Sequence, residues 1–251
     1  MNENFSYQDY VTDESFLASY NEYQARYSER IRESDKVIIS LVKKIVSEHF
    51  IGTNPTILDI GCSTGNLLLH LKNTVPNANY IGGDLAESSL NLCRNNPKLE
   101  GIAFEKLDVT NLPCNHYHIV IVNAVFYLLD HIEYERALKS IAQALKLGGY
   151  MIAYDWAHPF EHQNIVINET SLMHPNGLRL CFRPMKFIAE KMLAVGFDYP
   201  DFQPFEIPIK LPKPSYDQEV ITYTIESDEG RLMFRGALYQ PWCHIVAKKR
   251  S

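Results

Sequence analysis

Three things are scarce in this 251-residue sequence, and each scarcity excludes a class of function. Basic residues form no block beyond the short Lys248-Lys249-Arg250 run, and the formal net charge is −6. A phosphate-tracking surface for nucleic acid or an anionic membrane patch is therefore not expected. Cysteine lacks paired spacing: Cys62, Cys93, Cys114, Cys181 and Cys243 are odd in number and scattered. That argues against a disulfide scaffold and for reduced thiols in a cytoplasmic setting. No run approaches the ~18 apolar residues of a membrane span, and MNENFSYQDY has neither the basic start nor the apolar centre of an export signal. A chain neither exported nor inserted is expected.

What is present suits one large α/β domain with an appendage, since 46% of residues are hydrophobic and 22% charged. The organising stretch is TILDIGCSTGNLLLHL, Thr56 to Leu71. Thr56 to Ile60 reads as a strand buried on both faces, Gly61 to Gly65 as a tight small-residue turn, and Asn66 onward as a helix. Strand, turn and helix without spare residues make the first half of a βαβ unit. Glycines in such a turn permit positive φ and let a ligand reach bare backbone N–H groups at the helix start. About twenty residues on, Tyr80 to Asp84 is a second strand ending in an acid, where a carboxylate accepts ribose hydroxyls in such folds. Phe104 to Val109 is a third strand ending with Asp108, and Ile119 to Asn123 is a fourth. Gly61 and Gly65 are four apart, so the dinucleotide fingerprint would need glycine at Ser63 and Asn66, and a nicotinamide enzyme fits less well.

Asp59-x-Gly61-x-Ser63-x-Gly65, Asp84, Asp108 and Asn123, in this order, resemble the motifs of class I S-adenosylmethionine-dependent methyltransferases over about residues 56–155. One departure is the middle glycine of the family, which is Ser63 here. The resemblance implies a Rossmann-like, doubly wound, mostly parallel seven-stranded sheet whose last strand is antiparallel. It also implies S-adenosylmethionine as cofactor and S-adenosylhomocysteine as product. The cofactor would be held by Asp59, Gly61, Cys62, Ser63 and Gly65, by Asp84 and Leu85, by Asp108 and Val109, and by Asn123. Asp108, or the backbone beside it, would meet the adenine amino group, or it caps its own turn.

Before the first strand, residues 1–13 read as loosely held. Glu14 to Arg30 reads as a helix with Phe16, Leu17, Tyr20, Tyr23 and Tyr27 along one face. Residues 1–50 are expected to form a helical lid over the domain of residues 51–251. Tyr27, Arg32 and Ser34 are candidates for holding the cofactor's carboxylate. Ser34 also reads as the N-cap of a helix over Asp35 to His49. Further helices are expected over Ala86 to Asn95, Tyr134 to Leu147 (stopped by Gly148-Gly149) and Met185 to Val195. A fifth strand is expected at Tyr150 to Tyr154. A hairpin insert follows over about residues 157–183, with strands Ile165 to Ile167 and Leu178 to Phe182 joined by His174-Pro175-Asn176-Gly177. The insert is expected over the pocket, at the acceptor. Val220 to Ile225 and Cys243 to Ala247 read as a final antiparallel pair.

Methyl transfer from a sulfonium needs alignment and water exclusion, and a hydroxyl acceptor also needs a base. Asp155-Trp156-Ala157-His158 leaves the fifth strand on the ligand side. His158 is the candidate base with Asp155 as its orienter, unless the ring serves only the loop backbone; His131 is the second candidate. Phe126, Tyr127 and Trp156 are candidates for lining the acceptor site. No metal is assigned: Pro159 disfavours a helix joining His158 to His162, and His116 with His118 lacks a third ligand. The expected reaction is O- or N-methylation of a small molecule such as a sugar, sugar nucleotide or other biosynthetic intermediate, in a chain of unassigned oligomeric state. The alternatives are a nucleic-acid or protein acceptor and a cofactor-binding protein without catalysis. The sequence lacks Asn-Pro-Pro-aromatic after the fourth strand, which weighs against nucleic acid.

Overall fold

A computed structural model describes residues 5–160, 164–170, 177–206, 208, 222–227, 230–235, 238–239 and 241–250. Two short helices open the chain, α1 (Tyr7–Thr12) and α2 (Glu14–Ala25). Ser6 caps α1 by accepting from the Asp9 N–H, and Asp13 caps α2 by accepting from the Ser15 N–H. The first of these helices lies where a loose terminus is predicted. α2 stops at Ala25, short of Tyr27. Next come α3 (Glu33–His49), β1 (Thr56–Ile60), α4 (Asn66–Thr74), β2 (Asn79–Asp84), α5 (Glu87–Arg94), β3 (Ala103–Lys106) and β4 (Tyr117–Asn123). The chain continues through α6 (His131–Ala144), β5 (Leu145–His158), β6 (Ile165–Glu169), β7 (Leu178–Pro184), α7 (Met185–Ala194) and β8 (Asp201–Pro204). β9 (Thr222–Ser227), β10 (Gly230–Arg235), β11 (Leu238–Tyr239) and β12 (Trp242–Lys248) complete it.

Seven strands stand in the order β3-β2-β1-β4-β5-β12-β8. The first five are mutually parallel, and β12 runs antiparallel to both its neighbours. The fold class is the one expected. Alternation along the strands makes two cores. Leu58, Ile60, Val120 and Val122 face the layer of α6 and α7, while Ile57, Ile119, Ile121 and Ile152 face that of α3 and α4. Of the expected lid, α1 and α2 lie over the strand ends, whereas α3 buries Ile38, Ile39, Val42 and Ile45 in the second core.

Several boundaries differ from expectation for identifiable reasons. α3 begins two residues early, capped by Arg32 without a side-chain bond, so Ser34 is inside the helix; its carbonyl accepts from Nε2 of His244 at 3.1 Å. α6 begins at His131 because Asp130 and Glu133 form a reciprocal capping box. It ends at Ala144, where Leu145 is captured as the partner of Tyr117, so Gly148-Gly149 lies within a strand instead of stopping a helix. At Gly149 a Cβ would stand 2.9 Å from the His118 carbonyl oxygen, which explains a glycine inside the ladder. The expected final pair is not formed: β12 pairs with β5 and β8, and β9 pairs with β10 in a separate three-stranded sheet. Residues 174–176 of the predicted turn lie outside the described residues, but the flanking strands β6 and β7 pair antiparallel as anticipated.

Candidate active site

The carboxyl ends of β1 to β4 open onto a cavity of about 130 Å³. Its floor is made by Gly61 and Ser63 after β1, Asp84 and Leu85 after β2, and Leu107 and Val109 after β3. Asn123, Ala124, Val125, Tyr127 and Leu128 form one side. Tyr7, Tyr10 and Val11 of α1 and Phe16, Leu17 and Tyr20 of α2 form the roof.

The turn after β1 is held by backbone bonds. The N–H groups of Gly61 and Cys62 both donate to the Gly83 carbonyl, at 2.7 and 3.0 Å. Gly61 has φ +78°, and a Cβ there would stand 2.6 Å from Cγ2 of Val125, so both conformation and space demand glycine. Ser63 has φ +49°, a left-handed conformation that costs a side-chain-bearing residue about 1–2 kcal/mol. Its N–H donates to Asp84 Oδ2 at 2.8 Å, while its buried Oγ has no protein partner. Asp84 also accepts from the Ala86 N–H at 2.9 Å. Burial raises its carboxyl above the usual carboxylate range, against these N–H bonds.

Beneath the floor, Asp59 is buried with Oδ1 unpartnered, and burial, followed by the charges of Asp35 and Asp84, pushes it up to about 8. Asn123 lines the cavity and donates to Asp35 Oδ1 at 3.1 Å. Asp155 is buried and accepts from the N–H groups of Tyr127 at 3.1 Å and Trp156 at 2.7 Å; burial pushes it up to about 7 against those bonds and the charge of Arg183.

The structure thus brings Gly61, Ser63, Asp84, Leu85, Val109, Asn123 and Tyr127 together on the cavity wall and places the other candidates elsewhere. Gly65 is not part of the lining: it takes φ +73° at the start of α4, and a Cβ there would meet Leu99 at 2.8 Å, so conformation and packing both demand glycine. Cys62 is in the core beside Leu67 and Leu90. Asp108 caps its own turn by accepting from the Thr110 N–H at 2.8 Å, and is engaged from the roof by the Tyr7 hydroxyl at 2.9 Å and Gln8 Nε2 at 2.7 Å. Burial alone would raise it, but these bonds hold it below the usual range. Tyr27 and Arg32 fall in the connection after α2, where the guanidinium sits 4.3 Å over the phenol ring and donates to Gln24 Oε1.

The acceptor-side candidates are corrected likewise. Phe126 is buried against Tyr134 at 5.1 Å, and Trp156 stacks on Phe182 at 4.2 Å behind Tyr127. His158 is 1% exposed, and its Nδ1 accepts from the Phe160 N–H at 3.2 Å. Strand alternation puts it and Asp155, three residues apart, on opposite faces of β5, so Asp155 does not orient it. His131 is exposed and packs its ring against Phe187 at 5.2 Å. Described residues of the hairpin β6–β7 do not line the cavity; Arg183 instead donates to the carbonyls of Phe126, Leu129 and Asp130. No group of three or more His, Cys, Asp or Glu side chains placed to hold a metal occurs among the described residues. No helix among them is long and apolar enough to cross a membrane.

Sequence reasoning missed Tyr7, Tyr10 and Val11. Their spacing of three and four is itself a helical signal, hidden by the polar residues between them. It missed Val125 and Leu128, which the 3-10 turn at Phe126–Leu128 brings to the cavity beside Tyr127 while Phe126 is buried.

Residues 57–149 match the family of methyltransferase domains. The chain is 24% identical over 134 residues to a malonyl-[acyl-carrier protein] O-methyltransferase of Bacillus cereus, covering 53% of this chain and 48% of that protein. It is 27% identical to a carboxy-S-adenosyl-L-methionine synthase of Staphylococcus epidermidis, covering 65% of this chain and 78% of that one. The chain spans about half the length of the first of these relatives. Among solved structures, the Burkholderia thailandensis 1,6-didemethyltoxoflavin-N1-methyltransferase, with bound 1,6-didemethyltoxoflavin and S-adenosylhomocysteine, aligns over 100% of this chain and 94% of that one. The TM-score is 0.57 and the identity 13%.

Proposed function

We propose, from the match of residues 57–149 to methyltransferase domains, that this chain is a class I S-adenosylmethionine-dependent methyltransferase and methylates a small molecule in the cavity beneath α1 and α2. The observation carrying this reading is the floor: a left-handed small-residue turn, an orphaned Ser63 Oγ, and an Asp84 carboxylate with two N–H partners at the cavity edge. These residues fit the cofactor. Asp84 would accept its ribose hydroxyls, and Ser63 Oγ would find in it a missing partner. Leu85, Leu107 and Val109 would supply an apolar wall for a flat base.

When bound, S-adenosylmethionine would supply a methyl group activated on sulfonium, the carbon–sulfur electron pair staying on sulfur as the acceptor's lone pair forms the new bond, and the acceptor's proton would pass to solvent. This chain's part is to orient and to exclude water. Tyr20 and Tyr127 have their phenols raised above the ordinary value by burial, and so stay neutral donors. The lining residues include no histidine, cysteine or lysine among those described. A protein base is then not part of the reading, and an amine or an acidic hydroxyl is favoured over an alcohol.

Calorimetry tests the reading with two ligands, S-adenosylhomocysteine and S-adenosylmethionine. Both should bind, and Asp84→Asn should weaken them by about 10- to 100-fold, the ~1.5–3 kcal/mol of hydrogen bonds to a charged group. Folded protein that binds neither ends the reading.

A further inference from the structure

We infer that the acceptor is a planar, uncharged aromatic molecule held between an aromatic roof and the ring of Tyr127, which deepens the methyltransferase reading and rests on it. In the roof, the rings of Tyr10 and Phe16 lie 5.0 Å apart and those of Phe16 and Tyr20 stack at 5.3 Å. Across the cavity, Tyr127 is the half-buried, cavity-lining end of a second array. It stands 4.8 Å from Trp156 and edge-on 6.1 Å from Trp242, and Trp156 in turn stacks on Phe182.

Two arrays facing one space favour a flat guest, because offset and edge-to-face ring contacts add attraction beyond the burial of apolar area. Tyr10, Tyr20 and Tyr127 line the same cavity, and burial raises all three phenols above the ordinary value, so their hydroxyls stay neutral. Neutral phenols can orient a ring oxygen or nitrogen by hydrogen bonds, and they offer no counter-charge to an anion. The charged side chain among the described lining residues is the carboxylate Asp84, which repels phosphate and carboxylate groups. A sugar nucleotide, open on sequence grounds, would carry its diphosphate into that field.

Tyr127 also has firm backing. Its backbone N–H is bonded to Asp155, so its ring can be changed without freeing the loop. The experiment titrates protein saturated with S-adenosylhomocysteine with 2-naphthol and, separately, with UDP-glucose, each followed by calorimetry. Saturable binding of 2-naphthol and none of UDP-glucose is expected. Tyr127→Leu should weaken 2-naphthol at least tenfold while S-adenosylhomocysteine affinity stays within threefold. No saturable 2-naphthol binding, preferential UDP-glucose binding, or an affinity for 2-naphthol indifferent to Tyr127→Leu overturns the inference and leaves the methyltransferase reading standing. Failure of S-adenosylhomocysteine itself to bind removes both.

Discussion

The carboxylate of Asp155 takes the backbone N–H of Tyr127 at 3.1 Å, and from the opposite side the guanidinium of Arg183 takes the carbonyls of Phe126, Leu129 and Asp130. One short loop is therefore gripped through its donors by β5 and through its acceptors by β7. Both side chains are 3% exposed, so water cannot replace either grip. Asp155→Asn keeps shape but turns an amide N–H toward a backbone N–H, and should cost about 1–3 kcal/mol. Arg183→Met takes the donor from the Leu129 carbonyl, while those of Phe126 and Asp130 keep the N–H groups of Leu129 and Tyr134 at 3.1 and 2.9 Å, and should cost about 1–3 kcal/mol. Urea unfolding checks both; a change under ~0.5 kcal/mol in either would show that the loop holds itself.

The roof is latched to the third strand end by Tyr7, whose hydroxyl is shared between the two Asp108 oxygens at 2.9 and 3.0 Å. Tyr7→Phe keeps the buried ring and removes the bond. About 1 kcal/mol is expected from a half-buried bond of this kind, or roughly fivefold in the opening equilibrium of α1. Hydrogen exchange across residues 7–25 should accelerate by that factor, with α4 and α6 unchanged. Equal exchange in variant and parent would dissociate Tyr7 from closure.

How much of this was legible from residue order follows from the range of the interactions involved. β1, its turn and Asp84 were readable because strand, small residues and acid are local and contiguous. The hairpin strands were readable from alternation. The role of Asp108 was half readable, since capping of Thr110 is local while the bond from Tyr7 spans 101 positions. His158 looked catalytic because it leaves the sheet at the ligand end. Its burial follows from β7 pairing beside it, His158 against Pro184, which periodicity does not encode. Tyr27 failed for a local reason: α2 ends two residues before it.

Buried acids set the pH dependence. Asp59 and Asp155 are pushed up to about 8 and about 7, above the ordinary carboxylate value near 3.9 that they regain on unfolding. Between pH ~4 and pH ~7–8 the folded protein keeps these protons and the unfolded chain does not. Their contribution is thus complete below pH ~4 and is lost as pH rises through the folded values, by up to ~1.4 kcal/mol per pH unit for each proton retained. Asp108, held low, acts oppositely, but only below pH ~4. Unfolding free energy should therefore fall from pH 5 to pH 8, and Asp59→Asn should flatten the slope. A slope unchanged by Asp59→Asn would remove Asp59 from this account.

Gly61 offers a way to separate two costs at the cavity floor. In Gly61→Ala the new Cβ meets Val125 Cγ2 at 2.6 Å while the backbone stays at φ +78°. The left-handed backbone alone should cost about 1–2 kcal/mol, and the clash adds to it. Val125→Ala removes the obstructing methyl but leaves the backbone demand untouched. Gly61→Ala should then cost distinctly less in the Val125→Ala background than in the parent, with the backbone share remaining. Purely additive losses in that double-mutant cycle would mean that the two residues do not touch in solution, and that Gly61 is required for its conformation alone.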